Sequence, residues 1–432
     1  MKNLYIKIIL FCAVMVLPGC QLDEISNPNA PTIGSFGDGA SQADVQLLAI
    51  GLEAVMRSDL EFHYDTMSII AREYYDLTGV DPRFTGELLK GPLDNNGFLT
   101  TRAYAAWYKI VQSANILITA VENSSAGFST DVISGYLGYA KTLKAYALLM
   151  VANRQYTNGI RVDVADPDNL GPNLGYDDAL AAIKSLLDDA ASDLNNGGSS
   201  FDFPLSAGFD GFDTPATFRQ FNRAVAARVA LYQNDKQGVI SAIAGSFFNF
   251  NGDLMTGPAH IFGATGNDIL NAQFHVLGQS GQEFMIHDSW IADAEANDSR
   301  VTNKSFFFPS AFDNLSADYQ IALYKSNVDP VYLIRNEELI LMYAEAQIGS
   351  DVDEVLAAIN RVRNAANLGN YAGATDDASL LNEVLKQRRY SLIAEGHRWI
   401  DLRRTGNLSQ IPLDRAGDNV LDAFPTPFTE GL

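Results

Sequence analysis

The chain has 432 residues, with 30 basic and 52 acidic side chains and a formal charge of −22. A surface this acidic repels phosphate backbones, which excludes nucleic acid as an expected partner. A hydrophobic content of 47 % marks a globular chain, and the length suggests about two or three packed units.

In chain order, the first element is a leader. Lys2 and Lys7 flank the start of an apolar run from Ile8 to Leu17. The run is too short to span a bilayer and suits the apolar core of a signal peptide. Leu17-Pro18-Gly19-Cys20 then has the form of a lipobox, in which the cysteine is acylated and the chain cut before it. The reading is a signal peptide over 1–19 and a tether over 20–40, rich in Asn, Pro, Gly and Ser and anchored through lipid on Cys20. Cys12 leaves with the leader, so cysteine nucleophiles and cysteine-based metal sites are excluded.

From residue 41 onward helical periodicity recurs in pairs. Val45, Leu48, Leu52, Val55 and Met56 form one stripe. Tyr104, Trp107, Tyr108, Val111 and Ile118 form the next, matched by Tyr136, Ala140, Leu143, Ala147 and Met150. Tyr176, Leu180, Ile183, Leu187 and Leu194 precede the stop Asn195-Asn196-Gly197-Gly198, and Phe218, Phe221, Val225, Val229 and Tyr232 give the partner. Leu339, Met342, Tyr343 and Ala346 begin a C-terminal pair with Val352 to Val362, and a last helix is expected to carry Leu381 through Trp399. Each pair takes about 35–45 residues, the size of a tetratricopeptide-type unit, although the residue signature of that repeat is absent. The fold class is therefore mainly α, about four helix pairs, with repeat helices over 41–235 and 331–406. Residues 240–330 read as an irregular insert of loops and short strands.

No catalytic motif is present: the sequence has no HExxH, no GxSxG and no Walker loop. The five histidines lack ligand spacing, and the stretch Asp166–Gly171 fails as a calcium loop because Leu170 and Asp177 stand at ligand positions. No metal, no cofactor and no catalytic residue are expected.

The C-terminal stretches RNEELILMYAEAQIGSDVDEVLAAINRVRNAANL (335–368) and VLKQRRYSLIAEGHRWIDLRRTG (384–406) resemble the SusD/RagB family. Arg388, Leu392, Glu395, Gly396, Arg398, Asp401, Leu402, Arg404 and Gly406 match its pattern, while Gln387 and Ser391 each replace an expected Glu. NDSRV (297–301) resembles the family's D-P-R element, and Asp23-Glu24 after Cys20 resemble a Bacteroidetes surface-export signal. The resemblance implies a tetratricopeptide-like fold with an insert, and a lipoprotein at the outer-membrane surface. It implies capture of oligosaccharide or polysaccharide, or of peptide as in RagB-like proteins, and delivery to a SusC-type TonB-dependent transporter. A repeat scaffold without small ligand and a surface glycoside hydrolase are the readings of another class.

Two expectations about residues follow. In 384–406 the spacing places Arg398 three residues from both Glu395 and Asp401, so one helix face can carry both pairs, and Arg388, Glu395, Gly396, Arg398, Asp401 and Arg404 read as structural. Sugar-binding aromatics belong in loops beside amides and charges. Tyr74, Tyr75, Arg83, Phe84, Asn95, Asn96 and Trp290 are the candidates on that rule; Trp107 and Trp399 read as core, and Phe306-Phe307-Phe308 as strand or core filling.

Overall fold

The computed structural model describes residues 39–266 and 268–431. The leader and Cys20 lie outside the described residues, as does the tether up to residue 38.

Two short helices open the fold, α1 (Gln42–Val55) and α2 (Leu60–Ile70). Ser41 starts α1 through a capping box with Asp44, which satisfies backbone N–H groups that have no partner inside the helix. After β1 (Tyr74–Asp76) and the single turn α3 (Glu87–Lys90) come the long antiparallel helices α4 (Phe98–Glu122) and α5 (Thr130–Gln155). The strands β2 (Ile160–Arg161) and β3 (Asn173–Leu174) pair in the loop that leads to α6 (Tyr176–Asn195) and α7 (Pro215–Tyr232). Thr214 caps α7, with Pro215 at a position where its missing N–H costs nothing. Successive helices pack side by side from α4 to α7. Gly138 permits one of these contacts: a Cβ there would sit 2.5 Å from Leu194 Cγ, so α5 and α6 approach backbone to side chain.

Helix α8 (Lys236–Ala244) leads into the insert. It holds β4 (Ala259–His260), β5 (Phe284–Ile286), the short helices α9 (Asp288–Ala292) and α10 (Ser299–Lys304), and the hairpin β6 (Ser305–Phe312) and β7 (Leu315–Ile321). The region read as irregular therefore carries a sheet, ordered β1-β5-β7-β6, that recruits β1 from far upstream. β8 (Val331–Tyr332) pairs with β4 and returns the chain to helices α11 (Asn336–Gln347), α12 (Val352–Ala365), α13 (Asp377–Ser391) and α14 (Arg398–Arg404).

The expected helical stripes form the core. Val45, Val111, Leu143, Leu187, Phe221 and Leu339 have no exposed surface, and Trp107 and Trp399 are buried as expected. The last helix is not continuous through Trp399. The chain leaves α13 at Ser391, turns through Ala394 (φ 64°) and Gly396 (φ 74°), and re-enters helix at Arg398. Left-handed backbone at these two positions breaks the ladder that side-chain periodicity alone suggested.

That break corrects the expected ion pairs. Arg398 does not pair with Asp401 or Glu395. Asp401 takes Arg388 Nε on Oδ2 at 2.6 Å and Arg404 Nε on Oδ1 at 3.0 Å, and Glu395 is engaged by Arg335. Nearby, Arg228 forks onto Glu338 with contacts of 2.7 and 2.6 Å. Burial would raise the Glu338 carboxyl, but Arg228, His397 and Arg388 outweigh it and hold it at about 2. Arg388 and Asp401 are buried and paired in this geometry, and Arg404 joins them.

A candidate ligand cleft

A concavity of about 580 Å³ opens between the insert and the C-terminal helices. One wall is the β7–β8 connection, with Tyr324, Asp329 and Tyr332. The opposite wall is the end of α12, and the floor combines α10 with Arg335, Glu337 and Glu395.

Local structure fixes each part. Tyr332 is held in register by pairing with Ala259 across β8 and β4. The 325–329 loop is braced because Asp329 accepts from the Ser326 hydroxyl at 2.6 Å and from the Ser326 N–H at 3.1 Å. Lys325 Nζ donates to the carbonyls of Ala322 and Asn303, each at 2.6 Å, and ties that loop to α10. Asp298 caps α10 and forks onto Arg300 at 2.9 and 2.7 Å, which is the role the D-P-R-like element plays here without its proline.

The floor is a connected polar network. Arg300 Nη1 donates to Ser391 Oγ at 3.0 Å, and that hydroxyl donates to Glu337 Oε1 at 2.6 Å. Arg335 donates to Glu337 Oε2 at 3.1 Å, to the Ser391 carbonyl at 2.7 Å and to Glu395. Ser391, one of the two departures from the family pattern, thus relays a hydrogen bond where an acid was expected. Lys304 Nζ donates to the carbonyls of Tyr390 and Ser391, and burial pushes its ammonium down to about 8. Arg300, Lys304 and Arg335 face Asp329, Glu337 and Glu395 in the lining, so the cleft is charge-balanced. Tyr324 and Tyr332 are half-buried rings above these groups. Tyr324 Oη lies 3.4 Å from Gln273 Oε1, a long contact. Rings over a fixed polar floor can hold a ligand with apolar faces and hydroxyl edges.

The residues singled out from sequence divide into two groups. Tyr74 and Tyr75 are each 2 % exposed and Trp290 has no exposed surface, so these three are core and offer no ring to a ligand. β1 lies inside the sheet, where Tyr74 Oη donates to Asp65 Oδ1 at 2.6 Å and Tyr75 bonds Asp414. Trp290 packs on Tyr390 with ring centroids 5.0 Å apart. The polar residues flanking them in sequence had suggested loops; the sheet and α9 bury the rings instead.

Arg83, Asn95 and Asn96 do come to the surface, and Phe84 is half-buried against the core. The Arg83 guanidinium lies 4.3 Å from the Phe98 ring centre, Phe84 meets Phe98 edge-on at 5.8 Å, and Asn95 and Asn96 are exposed in the turn before α4. Arg102 covers Phe62 in the same way at 3.9 Å. The guanidinium groups occupy ring faces there, and the exposed amides lie beside them as a surface patch. Phe306 and Phe307 are on a strand as expected but are 41 % and 62 % exposed, so they do not fill the core.

Sequence reasoning missed Tyr324, Tyr332 and Arg335 as cleft residues. The signal was available: YKSNVDPVY (324–332) sets two tyrosines at the ends of a turn-rich stretch at the C-terminal edge of the insert. Among the described residues no group of three or more His, Cys, Asp or Glu could hold a metal, and no helix is long and apolar enough to cross a membrane.

Part of the chain matches a known family, and nearly all of it matches known folds. Residues 287–421, which include the cleft floor and the α13–α14 motif, match the SusD family model. The SusD-like protein P38 of Formosa agariphila is 30 % identical over 111 residues, a match that spans 22 % of either chain. A SusD superfamily protein from Bacteroides vulgatus superposes with a TM-score of 0.66 at 17 % identity, covering 90 % of this chain and 96 % of the other. A laminarin-binding SusD-like protein superposes with a TM-score of 0.65 at 18 % identity, covering 91 % and 97 %. These overlaps show the tetratricopeptide-like fold over nearly the whole chain, and together with the SusD family match across residues 287–421 they support a SusD/RagB family protein.

Proposed function

We propose that the chain binds a neutral glycan in the cleft between the insert and the C-terminal helices, at the cell surface and without cleaving it. The observation that carries this reading is the cleft itself: two positioned tyrosines above a charge-balanced, hydrogen-bonded floor. Saccharides present apolar C–H faces to aromatic rings and hydroxyls to fixed polar groups. The laminarin-binding relative supports glycan as the ligand class. Anchoring through Cys20 at the outer membrane and delivery to a SusC-type TonB-dependent transporter complete the proposal, and both rest on the family resemblance.

The patch of Arg83, Phe84, Asn95 and Asn96 is the second surface, favoured by the exposed amides beside stacked guanidinium and aromatic groups. The test is calorimetry of the chain against neutral oligosaccharides and peptides, with the saccharide analysed afterwards for cleavage. Binding of one saccharide class, recovered intact, is expected. Binding of peptides alone, or release of shorter saccharides, contradicts the proposal.

A further inference from the structure

A second pocket, about 370 Å³, lies elsewhere in the fold, where the α2–β1 junction meets α9, the end of α13 and the start of α14. Its charge is unlike that of the cleft. Arg72, Arg389 and Arg398 line it together with Glu73 and Asp293. Asp293 is consumed by Arg389, at 2.8 Å. Arg72 is buried and donates only to the carbonyls of Ile70, Leu89 and Asn419, and its Nε has no partner. Arg398, among the described residues, has neither a hydrogen-bond partner nor a carboxylate oxygen within 4.0 Å. Glu73 is buried; its Oε2 accepts from the Ala394 N–H at 3.3 Å.

Two guanidinium groups in this pocket therefore lack a carboxylate. Burial and the neighbouring Arg389 push the Arg398 guanidinium down to about 10, and burial raises the Glu73 carboxyl to about 7, which weakens the one remaining counter-charge. Leaving a cation unpaired in a partly desolvated site is costly unless something supplies the opposite charge. The chain as a whole carries a formal charge of −22.

We propose that this pocket is a binding site for an oxyanion group, held between Arg398 and Arg389. Arg398 has its whole planar fork available for bidentate contact with a carboxylate or sulfate. Arg389 spends Nη1 on Asp293 and Nη2 on Ser289 Oγ, at 2.8 Å each, so it is oriented toward the pocket wall with Nε left over. The volume falls within the range of small-ligand sites. The anion is the carboxylate or sulfate ester of an acidic saccharide, or a free inorganic anion. This inference is independent of the neutral-glycan reading of the cleft and survives if that reading fails.

The test uses sodium sulfate and sodium glucuronate as probes, titrated into the wild-type chain and Arg398→Gln by calorimetry. Binding of at least one probe is expected, with about a tenfold or greater loss in Arg398→Gln, the scale of one charge-assisted hydrogen bond. Glucuronate binding more tightly than sulfate assigns the acidic saccharide; the reverse assigns the inorganic anion. Selenate soaked into wild-type crystals keeps the proposal testable if Arg398→Gln fails to fold: an anomalous peak beside Arg398 is expected. No binding of either probe, equal affinity in folded Arg398→Gln, or no peak in this pocket overturns the proposal.

Discussion

Arg388 and Asp401 meet across the break between α13 and α14, with Arg388 Nε 2.6 Å from Asp401 Oδ2 and both side chains almost fully buried. The turn at Ala394 and Gly396 makes this contact: it folds the second helix back so that residues thirteen apart in sequence touch. Asp401 also receives Arg404 from its own helix, so one carboxylate joins α13 to α14 and ties the end of α14. Removing it would leave two buried guanidinium groups without it.

Asp401→Asn is accordingly expected to cost about 3–5 kcal/mol, the range for breaking a buried pair from one side. Urea denaturation of the variant beside the parent measures it. Arg398→Ala, which removes no ion pair, is expected to cost clearly less. Equal losses for the two would mean that the pairing drawn from sequence, Arg398 with Asp401, was the real one.

Asp65 gives a pH dependence. Burial raises its carboxyl to about 8, against the lowering effect of the Tyr74 hydroxyl. Its folded pKa is above its unfolded pKa, so its contribution is full below about pH 4 and is lost as pH rises towards 8. Over that window the group costs on the order of 1 kcal/mol per pH unit. Asp65→Asn should flatten the decline in stability between pH 5 and pH 8. Parallel stability curves for variant and parent would contradict the assigned environment.

Trp290 is a packing residue. Its ring is fully buried against Tyr390, whose hydroxyl donates to the Trp290 carbonyl at 2.9 Å. Trp290→Ala should therefore lower stability by about 3–5 kcal/mol through a large cavity, seen as a marked fall in thermal midpoint. A variant that melts like the parent but loses ligand would restore Trp290 to the binding surface.

How far the sequence could be read depends on the period of the signal. Stripes such as Val45–Leu52 or Phe218–Val229 repeat over several turns, so the helices and their buried faces were legible. The break at Ala394 and Gly396 was not, because two left-handed residues leave the apolar pattern of Leu392 and Trp399 intact. β1 was hidden for a different reason. Three residues, Tyr74–Asp76, are too short for alternation to show, and their partner strand lies more than two hundred positions downstream. Hence Tyr74 and Tyr75 looked like loop aromatics. Arg83 and Asn95 were placed correctly at the surface because Pro, Gly and Asp surround them. The cleft was illegible as a cleft, since Tyr332 and Lys304 converge only through tertiary packing, although each lay in or beside the stretch marked as a working part.

The most direct test of the glycan cleft compares Tyr332→Ala with Arg83→Ala in calorimetry against the saccharide that binds the parent. Tyr332 is half-buried on the cleft wall and Arg83 lies on the separate patch. Losing one apolar ring contact is worth about 1–3 kcal/mol, roughly a tenfold to hundredfold weaker Kd. The account predicts that loss in Tyr332→Ala, with thermal stability retained, and parental affinity in Arg83→Ala. Parental affinity in Tyr332→Ala with binding lost in Arg83→Ala would contradict it and move the site to the patch before α4.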